Sequence, residues 1–237
     1  MISFKKNEKI NFDKYYDFTR VCFFLMLINM LFFLDETIFY WITKSQLGSD
    51  SVADITVIFK ICSIVLIPLN VIEVITPNYI AKLYSENKKK LIYFVRKIST
   101  YKLISGSLLI IPVMIFSENI ILIIFGNKFV ELTQLVRLIS FSYFTRVFFG
   151  TSAQILLLSD NAKVLLILRS FSLIFTFFIF LSVELNFNQV LFLSIFYRSL
   201  IDILSFGYVF INLKINSLPY LKIKDIKTIF MEDIFKK

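Results

Sequence analysis

The chain has 237 residues, of which 57% are hydrophobic and 17% aromatic, and its mean hydropathy of +0.77 places it outside the soluble globular range. Lys and Arg number 26 against 17 Asp and Glu, for a formal charge of +9, and there is no histidine. The two cysteines, Cys22 and Cys62, lie in apolar runs without paired spacing, which excludes a disulfide framework and a zinc site; no metal or cofactor is expected.

A helix needs about 20 mostly apolar residues to cross the hydrocarbon of a bilayer. Runs of that kind cover 20–43, 55–83, 103–125, 132–158, 164–183 and 190–213, which predicts an all-α membrane protein, a bundle of about six transmembrane helices. Residues 1–19 form a polar amino-terminal segment that lacks the apolar core of a cleavable signal peptide, so the first span is expected to serve as its own insertion signal. The transmembrane domain is expected over 20–213, and 214–237 reads as a basic tail with Ile223, Ile226, Ile229 and Phe230 set among lysines.

In the second span Pro68 and Pro77 each remove a backbone donor and crowd the preceding turn, so this helix should bend. Both are gating candidates, although proline kinks also occur in static bundles. The following loop, 84–100, is basic and amphipathic. Leu91, Phe94, Val95 and Ile98 fall at helical spacing among Lys88, Lys90, Arg96 and Lys97, the pattern of a helix lying in the headgroup layer or of a solvated basic loop. Ser117, Glu118 and Asn119 interrupt the third span; Gly126 ends it with a turn, and Gly150 is expected to allow close packing in the fourth.

Orientation follows the lysines and arginines. They crowd the amino-terminal segment, the connection from Lys82 to Lys102, Lys163 and the tail, while the other side has only Lys44 and Lys128 in its connections. Both termini are therefore expected in the cytoplasm, and this distribution explains the net charge without a nucleic-acid partner.

Lys60, Glu73, Arg146, Arg198 and Asp202 interrupt the apolar runs. A charge at the centre of a membrane helix costs about 2.5–3.5 kcal/mol, so all five facing lipid would cost on the order of 12–17 kcal/mol. They are expected to face one another or a wet interior. At about 1.5 Å per residue, Asp35, Lys60 and Arg198 share one level. That level reads either as a cationic pocket for an anionic cargo or as the structural pairs Asp35–Lys60 and Arg198–Asp202. Arg137 and Arg146, nine positions apart, occupy opposite helix faces. Arg146 is the midplane candidate, whereas Arg137 and Arg169 are expected to snorkel to the surfaces. Glu73 reads as a proton or cation site, or as a partner for Arg169; Glu36, Asp54, Glu131 and Glu184 are assigned to interfaces. No phosphate loop, nucleophile elbow or histidine base is present, so an enzyme is not expected.

Several short pieces occur in a fixed order: Leu34-Asp35, Ile75-Thr76-Pro77, Ala81-Lys82-Leu83-Tyr84, Ile123-Ile124-Phe125-Gly126-Asn127-Lys128-Phe129, Gly150, and Ser159-Asp160-Asn161-Ala162-Lys163. In that order they resemble the carboxy-terminal half of the polysaccharide flippases, of the O-antigen and teichoic acid type, in the multidrug/oligosaccharidyl-lipid/polysaccharide exporter superfamily. The resemblance implies one lobe of a two-lobed, alternating-access carrier in the bacterial cytoplasmic membrane. Its cargo would be an undecaprenyl-diphosphate-linked oligosaccharide for cell-surface polysaccharide or lipopolysaccharide biosynthesis, met by cationic cavity residues. By position these are Lys60, Arg146 and Arg198, with Asp35, Glu73 and Asp202 as coupling or ion-pair residues. The expected partners are membrane lipid, the anionic lipid-linked oligosaccharide and a separate amino-terminal half. The alternatives are a multidrug or cation antiporter of the same fold, and a truncated remnant that does not transport.

Overall fold

The computed structural model describes residues 12–159 and 161–221, and these are helical with no strand among them. The expectations for residues 1–11, Asp160 and 222–237 lie outside the described residues, as does the side chain of Glu36. Helix α1 (Phe12–Leu47) ends at Gly48, whose φ of 85° is open to glycine, and α2 (Ser49–Ser63) turns back along it. At Ile64 and Val65 the helix breaks, and α3 (Leu66–Ile75) leaves at 55° to α2. Pro68 is the cause: it offers no hydrogen to the carbonyl of Ile64, which instead accepts from Ile67, one residue closer. Pro77 stands at the first position of α4 (Pro77–Glu86), where its missing N–H costs least.

The Asn87 side chain caps α5 (Lys88–Ile115) by accepting from the N–H of Lys90 at 3.0 Å. The helix stops at Phe116, beside the expected interruption, and α6 (Ser117–Phe125) runs to Gly126, whose φ is 88°. A 3₁₀ turn over Asn127–Leu132 leads into α7 (Thr133–Leu158), followed by α8 (Ala162–Ser182) and α9 (Phe187–Ile211). Asn186 and Gln189 close a reciprocal capping box at the start of α9.

Four helical stretches are long and apolar enough to cross a membrane: Cys22–Leu47, α5, α8 and α9. The bent α2–α3 pair makes a fifth if it is one span. Helix α7 has 26 residues, about 39 Å at 1.5 Å each, yet it is not apolar enough to join them. It instead has the most extensive packing in the molecule, against α5 and α9, so protein covers much of its polar surface.

The basic segment 84–100 is no separate surface helix. From Lys88 onward it is the first part of α5, and Leu91, Val95 and Ile98 are buried in a cluster with Ile80, Ile155 and Leu156 rather than turned to lipid. The close approach between helices falls at Gly106, not Gly150. A Cβ at Gly106 would lie 2.7 Å from Val147 Cγ2, whereas one at Gly150 would meet only the Arg146 side chain of its own helix. The first part of the tail folds back on the bundle: Ser217 bonds Ser152 at 2.6 Å, and the N–H of Tyr220 donates to Thr100 at 2.9 Å.

Two apolar clusters divide the bundle along its length. One holds Phe39, Ile42, Val136 and Leu191 towards the Gly48 and Gly126 turns. The other holds Ile28, Leu91, Leu165 and Val209 towards the opposite end. Between them, within a turn of the boundary on each helix, stands one charged side chain: Asp35 on α1, Glu73 on α3, Lys102 on α5, Arg146 on α7, Arg169 on α8 and Asp202 on α9.

Candidate functional site

The charged layer is tied together by two carboxylates. Asp35 accepts from the Arg169 guanidinium and from the Tyr197 hydroxyl, and the Phe32 ring covers Arg169 with its centroid 3.5 Å from the guanidinium carbon. Glu73 accepts from Lys102 Nζ at 3.0 Å and from Arg146 Nη2 at 3.2 Å. Lys102 is 1% exposed and Arg169 7%, so their partners replace water almost entirely. Arg146 keeps 31% of its side chain exposed, and it faces open space inside the bundle.

Pro77 helps to shape this layer through the backbone. A proline has no N–H to give the carbonyl four residues back, which leaves the Glu73 carbonyl without its helical donor. Gln154 Nε2 takes that place at 2.9 Å and also donates to Thr76 Oγ1 at 2.9 Å. Helices α3, α4 and α7 are thus joined at the point where Glu73 holds its two cations.

Two adjoining chambers open on the layer. The first, about 110 Å³, has Asp35, Tyr143, Arg146, Arg169, Arg198 and Asp202 on its walls. The second, about 140 Å³, has Glu73, Pro77 and Gln154. They share Phe32, Arg146, Arg169 and Asp202. At about 30 Å³ per water, each holds a few waters or one small polar group. Arg198 Nη1 donates to the Tyr143 hydroxyl at 2.6 Å, with its guanidinium carbon 4.9 Å from the Phe59 ring centroid. Asp202, 8% exposed, makes no hydrogen bond or ion pair with another described residue.

Arg146, Arg198, Asp35 and Asp202 therefore meet on one chamber, and Glu73 and Pro77 on the next. Pro68 is at the α2–α3 bend and lines neither. Lys60 is exposed on the last turn of α2 and also lines neither chamber, so it drops out of the cationic pocket. The pair Asp35–Lys60 is replaced by Asp35–Arg169, Glu73 takes Lys102 and Arg146 rather than Arg169, and Arg198 takes Tyr143 rather than Asp202. Arg169 does not snorkel. Arg137 does stay apart from the layer, exposed and donating to Ser117 at 2.9 Å.

The pocket is also less cationic than expected. Asp35, Glu73 and Asp202 balance Lys102, Arg146 and Arg169, and Arg198 is the one cation on the chambers beyond that balance among the described residues. Sequence reasoning missed Lys102, Arg169, Tyr197 and Gln154. The polar run Ser99, Thr100, Lys102, Ser105 and Gly106 inside one helix was the signal for the first. No family model, curated protein or solved structure matches the chain.

Proposed function

We propose that the chain is one lobe of an alternating-access membrane carrier for an anionic lipid-linked oligosaccharide, in the cytoplasmic membrane with both ends on the cytoplasmic side. The observation that carries this reading is the chamber within the bundle where Arg146, Arg169 and Arg198 converge. An isolated phosphate charge is far too costly to move through hydrocarbon, and arginine forks match its oxygens in paired hydrogen bonds. Arg198 offers the free guanidinium edge, because Tyr143 occupies only one of its donors. Arg146 adds a second cation whose charge Glu73 only partly uses, shared as that carboxylate is with Lys102. Rocking of this lobe against a second one would carry the head group past the layer while the lipid tail stays in the bilayer.

The test is deletion of the gene, followed by complementation with Arg198→Gln or Arg146→Gln and measurement of surface polysaccharide against membrane-inserted protein. A hydrogen bond to a charged group is worth about 1.5–3 kcal/mol, so each variant should lower export roughly tenfold or more at equal protein level. Normal export from both variants would leave the arginines with structural work only.

A second reading, a cation antiporter of the same fold, is favoured by Asp202, an acid on both chambers without a bonded partner. It predicts that Asp202→Asn abolishes drug or cation efflux and leaves surface polysaccharide untouched.

A further inference from the structure

Lys44 stands apart from the charged layer, on the last turn of α1. It is exposed and makes no hydrogen bond or ion pair with another described residue. The same lysine lines a groove of about 630 Å³ between α1 and α8. Ile38, Trp41, Ile42 and Ser45 form the α1 wall, at the spacing of one helix face. Phe177 and Phe180 form the α8 wall, with ring centroids 5.9 Å apart. At the polar end the walls are tied together. Gln46 donates to the carbonyls of Phe180 and Val183 at 3.4 and 3.3 Å, and accepts from the N–H of Leu185 at 2.9 Å. The volume falls within the range of about 300–1,000 Å³ typical of ligand sites.

The depth of the groove matches one leaflet of a bilayer. Counted from the turn at Gly48, Lys44 lies about 6 Å and Ile38 about 15 Å along the helix, at 1.5 Å per residue. Half of a hydrocarbon core of about 30 Å is the same 15 Å. The ammonium therefore stands at the headgroup level, with apolar walls below it. Trp41, 79% exposed, is one turn below Lys44, the place of an interfacial indole. No carboxylate lines the groove, so nothing in its walls neutralises Lys44. A zwitterionic lipid would bring a cation of its own to this ammonium, whereas an anionic lipid brings the net negative charge that it lacks.

We infer that the α1–α8 groove is a site for an anionic phospholipid of the leaflet at the Gly48 end, with its phosphate against Lys44 and an acyl chain along Trp41, Ile38 and the two phenylalanines. No residue of the groove lines either arginine chamber, so the site stands whatever the chain carries. Its deep end is one turn from Asp35, and a bound lipid covers the α1–α8 seam next to the Asp35–Arg169 pair.

Trp41 is the one tryptophan in the chain, so its fluorescence reports on this groove alone. The experiment places the full chain in phosphatidylcholine vesicles and adds, in steps, phosphatidylglycerol or phosphatidylcholine with brominated acyl chains, which quench an indole at short range. One lysine near the surface favours an anionic lipid by about fivefold. Brominated phosphatidylglycerol should therefore reach half-maximal quenching at about one-fifth of the mole fraction that brominated phosphatidylcholine needs. Lys44→Gln should erase that difference and Lys44→Arg should keep it. Lys128→Gln, which removes the exposed lysine of another turn at the same end, should also leave it intact. Equal quenching by the two lipids in the unsubstituted chain overturns the inference and gives the groove to bulk lipid. A preference that survives Lys44→Gln overturns it too, by placing the anion elsewhere. Quenching by neither lipid would mean that protein covers the groove, and the site would not exist.

Discussion

Gln154 donates its side-chain amide to the main-chain carbonyl of Glu73, at 2.9 Å, in place of the N–H that Pro77 lacks. A buried acceptor left unmade costs about 1–3 kcal/mol. Gln154→Leu should therefore destabilise the protein by about that amount, read as a lowered thermal midpoint in detergent. Pro77→Ala supplies the missing N–H, so the same Gln154→Leu change made in that background should cost clearly less. Equal costs in the two backgrounds would show that Gln154 acts through Thr76 alone.

That relationship also marks how far the sequence was legible. Long apolar runs and prolines 68 and 77 predicted helices and a bend, and the bend stands at 55° just before Pro68. One-dimensional depth placed Asp35, Lys60 and Arg198 at one level, yet depth carries no azimuth. Lys60 turns outward while Arg169, expected at a surface, turns in to Asp35. Charge sign along the chain misled in the same way for Lys102. It stood among basic residues that set orientation, and only the neighbouring α3 shows that a carboxylate awaits it. Ion pairing across helices is a property of packing, so the near balance of the layer was invisible before the helices were assembled.

Lys102 is the most deeply buried charge in the layer, and it depends on Glu73. Removing one partner of a buried pair costs about 3–5 kcal/mol, because the other charge stays behind. Glu73→Gln should thus lower stability more than the double change Glu73→Gln with Lys102→Met, which removes the stranded ammonium. Thermal unfolding of both proteins decides it, and a double variant no more stable than the single one would contradict the pairing.

Gly106 and Gly150 separate two kinds of small-residue site. A methyl at Gly106 would sit 2.7 Å from Val147 Cγ2, with Leu69 at 3.5 Å, so α5 and α7 must move apart. Overpacking of this sort costs about 1–3 kcal/mol. Gly150→Ala meets only the flexible Arg146 chain at 3.1 Å and replaces a poor helix former. The expected order of thermal stability is Gly150→Ala above Gly106→Ala; the opposite order would place the close approach elsewhere.

The turns give a direct check on topology. Gly48, Asn127 and Asn186 stand at one end of the bundle, where Gln46 bonds the backbone of Leu185, and Asn87 and Asn161 stand at the other, where Asn161 reaches Tyr84. With the basic connections inside, reporter fusions at Gly48, Asn87, Asn127, Asn161 and Asn186 should read out, in, out, in, out. An inside signal at Asn127 would mean that α5 and α6 do not carry the chain across.

Lys60 tests what covers the bundle. It is exposed on α2, eleven residues after the helix begins at Ser49, or about 16 Å of helix rise. From that depth a lysine is too far from the Gly48 end to reach it easily, and a lipid-facing ammonium costs about 2.5–3.5 kcal/mol. Ser63, one turn further on α2, is exposed as well and donates to the Lys60 carbonyl at 2.7 Å. This face should therefore meet water, or a second lobe across a wet cleft. In a Cys22→Ser background, Lys60→Cys should react with a membrane-impermeant maleimide in intact membranes, whereas Leu108→Cys, 71% exposed on α5, should not. Should both positions stay unreactive, Lys60 faces lipid and the cleft is not there.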